Sequence, residues 1–81
     1  MKYLIDVKQC DISHGVPRLM GSCPVALGIK RALRSKHVRV ISTFITVDGK
    51  RGRSPKKVEN FVYDFDSYKP VKPFSFTVDM K

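Results

Sequence analysis

The local signals along the chain run β-α-β-β-α-β, which predicts an α+β two-layer sandwich, with two helices on one face of a mainly antiparallel sheet. Three observations carry that reading. Two segments space their apolar residues as helices do, several short segments alternate as strands do, and Asp48-Gly49 sits between two of those strands as a hairpin turn. At 81 residues and 42% hydrophobic content, the chain is expected to build one core and one domain, residues 1–81. The order of elements also matches the ferredoxin-like arrangement.

Tyr3 to Val7 alternates, with Tyr3, Ile5 and Val7 on one side, and reads as a short strand. Gln9 to Gly21 has no period, and His14-Gly15-Val16-Pro17 is turn chemistry, so this stretch is expected to be a functional or compactly packed loop. Ser22 supplies an N-cap oxygen and Pro24 suits a first helical turn, predicting a helix to about Ser35. Val25, Ala26, Ile29, Ala32 and Leu33 share one arc of it, while Lys30, Arg31 and Arg34 share the other with an exposed Leu27.

His37 to Val47 is rich in β-branched residues and apolar on both sides, with Val38, Val40 and Phe44 on one and Ile41, Ile45 and Val47 on the other. That predicts one central strand. After the Asp48-Gly49 turn the chain returns through Lys50 to Arg53. Ser54-Pro55 opens a second helix, in which Val58, Phe61, Val62 and Phe65 recur at i, i+3, i+4 and i+7. Pro70 and Pro73 mark a loop, and Phe74, Phe76, Val78 and Met80 alternate in a half-buried last strand. Phe61, Phe65, Phe74 and Phe76 all fit core periodicity.

The charge is placed unevenly. Lys30, Arg31, Arg34, Lys36, Arg39, Lys50, Arg51, Arg53, Lys56 and Lys57 face only Asp48 within residues 30–57, so the whole net charge of +9 lies there and the remainder sums to zero. Solubility alone would be served by scattered charges of both signs. Lys56 and Lys57 stand in the first turn of a helix, where the macrodipole disfavours cations. Gly52 would let a backbone come close to a phosphate, and Ser42, Thr43, Thr46 and Ser54 could donate hydrogen bonds to one. The strip is therefore the candidate site. Its expected partner is nucleic acid, DNA or RNA, held by its phosphates. Tyr63 and Tyr68 fall off the apolar arcs but stand near Asp64 and Asp66, a poor setting for base stacking. No helix-turn-helix pair or RNP-type signature is present.

Three segments bear a further likeness. Asp11-Ile-Ser-His-Gly15, Cys23-Pro-Val-Ala-Leu-Gly-Ile-Lys-Arg31 and Phe65-Asp-Ser-Tyr-Lys-Pro-Val-Lys-Pro-Phe-Ser-Phe76 together resemble small bacteriophage proteins of no assigned activity. The likeness spans most of the chain and departs at Lys50-Arg-Gly-Arg53, which is more basic. It implies a phage protein acting in a bacterial cytoplasm. Small phage proteins often inhibit host or defence complexes, so the alternative partner is an acidic surface of such a protein, met by the strip or by Leu27. Mimicry of nucleic-acid charge is excluded, since a mimic would be acidic.

Other function classes find less support. Cys10, His14, Cys23 and His37 are spaced unlike common zinc ligands, so no metal site is expected. Cys23 at a helix N-terminus with His14 nearby would be the one nucleophile and base, yet a buried thiol and a turn histidine explain both. Asp64 and Asp66 point apart, and no glycine-rich phosphate loop is present. No catalytic residue and no cofactor are expected. No apolar run approaches the roughly 18 residues that span a bilayer, and Asp6 interrupts the first apolar stretch too early for a signal peptide. The expected location is the cytoplasm.

Overall fold

The computed structural model describes residues 2–41 and 43–80. The elements in order are β1 (Lys2–Val7), α1 (Gln9–His14), α2 (Pro24–Leu33), β2 (Val38–Val40), β3 (Phe44–Val47), β4 (Lys50–Arg53), α3 (Lys56–Asp66) and β5 (Phe74–Asp79). The expected α+β class holds, and the order of its elements roughly matches, with one helix and one strand more than expected. The strands form two antiparallel sheets, β1-β5 and β2-β3-β4, joined by a bridge between Gly52 and Met80. A ferredoxin-like sheet would place the first strand beside the one after the hairpin. Here β1 pairs with β5, Ile5 opposite Phe76, and β5 is what meets β4.

Gly52 explains how the two sheets come so close. A Cβ there would stand 2.6 Å from the Asp79 carbonyl oxygen and 2.7 Å from the Met80 sulfur, distances no side chain tolerates. Gly52 is buried, and its bare backbone accommodates β5 rather than a phosphate. The hairpin turn follows its expected chemistry, with Asp48 at φ 50° and Gly49 at φ 83°, the two positive angles a type I′ turn requires.

The core collects Ile5 and Val7 from β1, Val25, Ala26 and Ile29 from α2, Val38, Val40, Ile45 and Val47 from the hairpins, Val58 and Phe61 from α3, and Phe76, Val78 and Met80 near the end. Phe61, Phe74 and Phe76 stack in series, with centroids 4.7 and 5.7 Å apart, within the range aromatic pairs favour. Phe65 lies 6.2 Å from Phe61; it and Phe74 are half-buried and line the core's margin. Ala32, expected on the apolar arc of α2, is exposed, and Leu27, expected exposed, is half-buried.

Three details differ from the expectation. The first is α1, within the stretch read as aperiodic. Its Asp11 accepts the Lys8 backbone N–H at 2.8 Å, a carboxylate at the helix start where free amides need a partner. The rest of that stretch is a compact loop, closed by Val16 N–H to the Ser22 carbonyl at 2.8 Å and tethered to α3 by Arg18 N–H donating to Asp66 at 2.8 Å. The second is the helix cap: Cys23, not Ser22, precedes α2, and its Sγ accepts the Ala26 N–H at 3.4 Å.

The third bears most on function. Residues 37–47 form two antiparallel strands rather than one, with Val40 opposite Ile45 and Val38 opposite Val47. Directly opposed residues share a sheet face. The reversal therefore puts Val38, Val40, Ile45 and Val47 all on the buried face. Phe44, read as a companion of Val38 and Val40, turns to the opposite face.

Candidate nucleic-acid interface

The outer face of β2-β3-β4 follows from the same register. Arg39 lies opposite Thr46, and Thr46 opposite Arg51, so the three form one row across the strands. Phe44 lies opposite Arg53 in the next row. The three arginines are exposed and Thr46 is half-buried. Neighbouring strands are about 4.8 Å apart, so the row spans about 10 Å. The Arg51 guanidinium lies 5.0 Å above the centre of the Phe44 ring. Diagonal neighbours on a sheet are close enough for such long side chains to meet, and the pair contributes about 0.5–1 kcal/mol at an exposed site. Phe44 stays 37% exposed. No carboxylate pairs with Arg39, Arg51 or Arg53 among the described residues.

A cleft of about 620 Å³ adjoins this face at its β2 edge. Lys30, Lys36, His37, Arg39 and Thr46 line it together with Leu19 and Met20. The Met20 carbonyl accepts the Val40 N–H at 2.9 Å, so the loop covers part of the β2 edge that would otherwise present bare amides. Leu19, Met20 and Ile41 remain largely exposed beside it.

The ten cations of the strip thus divide. Arg39, Arg51 and Arg53 share the sheet face, with Lys36 along the cleft. Lys30 also borders the cleft, but its Nζ donates to the Gly21 carbonyl at 2.6 Å and is committed to holding the loop. Arg31 leaves the site altogether. Its guanidinium grips Asp11 with two bonds, 2.6 Å to Oδ1 and 2.9 Å to Oδ2, and donates to the Asp6 carbonyl at 2.9 Å. Asp11 is 4% exposed, so this pair locks α1 onto α2. Arg34 is exposed at the end of α2 with φ 53°. Lys50 projects beside Tyr3, Leu33 and Val47, on the face opposite Arg51. Lys56 lies 3.9 Å from Glu59, and Lys57 donates to the Ser75 carbonyl at 3.3 Å.

The hydroxyls divide too. Ser54 is buried and donates to the Ile41 carbonyl at 3.2 Å, so it serves the turn and not a ligand. Thr43 is exposed and Thr46 lies on the site face. Ser42 lies outside the described residues. Tyr63 and Tyr68, off the apolar arcs, are exposed; Tyr63 carries Lys69 over its ring at 5.6 Å.

Electrostatics support these divisions. Burial alone would raise the Asp11 carboxyl, but the Arg31 guanidinium and the Lys8 amide outweigh it and hold it below the usual carboxylate range. The same hydrogen bond raises Arg31. Burial pushes the Cys23 thiol up despite its helix N-terminal amides, the reverse of what a thiolate nucleophile needs. His14 is exposed and its Nδ1 lies 2.7 Å from the Cys10 carbonyl. Among the described residues no three His, Cys, Asp or Glu side chains cluster as metal ligands, and no helix is long and apolar enough to cross a membrane.

The signal for Phe44 was present in the sequence. Apolar positions 38 and 40 are even and 45 and 47 odd, a change of parity that a single strand cannot place on one buried face. No family model matches the chain, and neither a curated protein nor a solved structure matches it.

Proposed function

We propose that the protein binds nucleic acid by its phosphates through the outer face of β2-β3-β4. One observation carries the proposal: Arg39, Arg51 and Arg53 lie together on one open sheet face, unpaired with any described carboxylate. Arginine suits phosphate because its planar fork donates two parallel hydrogen bonds. The net charge of +9 adds long-range attraction for a polyanion. Lys36 extends the cationic track into the cleft.

The test is a titration of labelled DNA and RNA at several salt concentrations. Contact with about four phosphates gives a slope of log K on log salt of roughly −3 to −4. Replacing Arg51 and Arg53 by alanine should lower the slope by about two and weaken all sequences alike. Absence of binding to DNA and RNA at low salt refutes the proposal. A second reading is favoured by Leu19, Met20 and Ile41, which border the basic face and are largely exposed. Apolar residues beside arginines also suit a protein interface, and an acidic surface of a host protein is then the partner. Its mark is capture of an acidic protein that survives nuclease treatment and fails with the same two alanines.

A further inference from the structure

We infer that the β2-β3-β4 face takes single-stranded nucleic acid, with one base stacked on the Phe44–Arg51 pair while Arg39 and Arg53 hold the adjoining phosphates. The inference rests on the phosphate-binding proposal above and adds to it the strand state of the ligand. Three observations lead to it.

The first is the aromatic itself. Phe44 opens the central strand of the three-stranded sheet, 37% exposed, while Phe61 and Phe76 are buried in the core. An exposed ring among arginines on an open sheet provides a π-surface that every base can meet, and stacking of this kind is indifferent to sequence. A duplex keeps its base faces covered by one another, so such a ring has nothing to engage there.

The second is the Arg51 guanidinium, 5.0 Å above the same ring. Guanidinium planes stack on bases as aromatic rings do, so Arg51 over Phe44 offers a base a cationic group backed by a ring. Arg51 keeps its charge for phosphate in either arrangement.

The third is what the helices withhold. Duplex readers commonly insert a helix in the major groove. On α2 the cations Lys30 and Arg31 are committed to the Gly21 carbonyl and to Asp11. On α3 the exposed Lys56 and Lys57 of the first turn are followed by the half-exposed Glu59, Asp64 and Asp66, which oppose a phosphate backbone. The sheet face groups Arg39, Arg51 and Arg53, with Asp79 at the border of the cleft beside Phe44, and it is flat rather than groove-filling.

The experiment compares a single-stranded oligonucleotide carrying 2-aminopurine with the matching duplex, at equal salt, for the parent, Phe44→Leu and Arg51→Lys. Leucine keeps the apolar contact without the ring, and lysine keeps the charge without the plane. The parent should bind the single strand more tightly and quench the 2-aminopurine. Phe44→Leu should weaken single-strand binding about ten- to hundredfold, lose the quenching and leave duplex affinity within twofold. Arg51→Lys should weaken the single strand in the same sense with the salt slope unchanged. Thermal melts identify a variant that has lost its fold, and the other variant then carries the test. Equal affinity for single strand and duplex, with neither variant selective between them and the salt slope intact, overturns the stacking inference alone. Absence of binding to both at low salt overturns the phosphate proposal beneath it.

Discussion

Arg31→Met separates a cation that holds the fold from those proposed to bind. The substitution keeps much of the aliphatic stem and removes the two bonds to Asp11 and the one to the Asp6 carbonyl. Asp11, 4% exposed, is left with the Lys8 amide as its strong donor. Breaking a fully buried pair costs about 3–5 kcal/mol; the Arg31 side chain is 41% exposed, so solvent reduces this to about 2–3 kcal/mol. For a domain of this size that lowers Tm by about 10–20 °C. Thermal and urea unfolding followed by circular dichroism measure it directly. The acid limb provides a second check. Asp11 is held below the usual range in the folded state, so its contribution is complete above about pH 4, the unfolded value, and disappears as pH falls through the lower native one. The gap between parent and variant should therefore narrow in acid. The salt slope of nucleic-acid binding should stay within half a unit of the parent's. An unchanged Tm together with a slope reduced by one would refute the structural role and return Arg31 to the binding face.

Three further outcomes follow from the packing. Gly52→Ala forces a methyl onto the Asp79 carbonyl and Met80 sulfur and should cost about 1–3 kcal/mol or more in urea unfolding; a neutral result would mean that β4 and β5 are not in contact. Phe61→Ala should cost about 3–5 kcal/mol and Phe65→Ala clearly less, because Phe61 is buried and Phe65 half-buried; equal melting points would refute that ranking. Cys23, 3% exposed with its thiol pushed up by burial, should react with a thiol reagent at neutral pH far more slowly than the exposed Cys10, as mass spectrometry after timed quenching would show.

Much of the fold was legible because it is built from local signals. The alternation in β1 and β5, the Asp48-Gly49 turn and the four-residue rhythm of α3 each act over fewer than ten residues. What escaped depends on distant partners. Helix α1 has six residues, too few for a helical period, and it is held by an arginine 20 residues away. The reversal between Val40 and Phe44 uses neither glycine nor proline, so only the parity of its apolar residues betrayed it. The same holds for the candidate site. The concentration of cations was visible in composition, but their division was not. Arg31 and Lys30 were indistinguishable from Arg51 until Asp11 and the Gly21 carbonyl came within reach of them. Phe44 was read inward because the strand was read as continuous.

The pairing of β1 with β5 has a consequence for how the chain comes to be folded. Lys2 meets Asp79 and Val7 meets Phe74, so nearly the whole chain must be looped before the first strand gains its neighbour. Closing so long a loop slows folding even where local helices form readily. Ile5 and Val7 can pack against α2 before then, but their strand has no neighbour until residues 74–79 arrive. The β2-β3-β4 hairpins, whose contacts are short-range, have no such delay. A chain lacking residues 74–79 would thus leave its first strand without a strand partner.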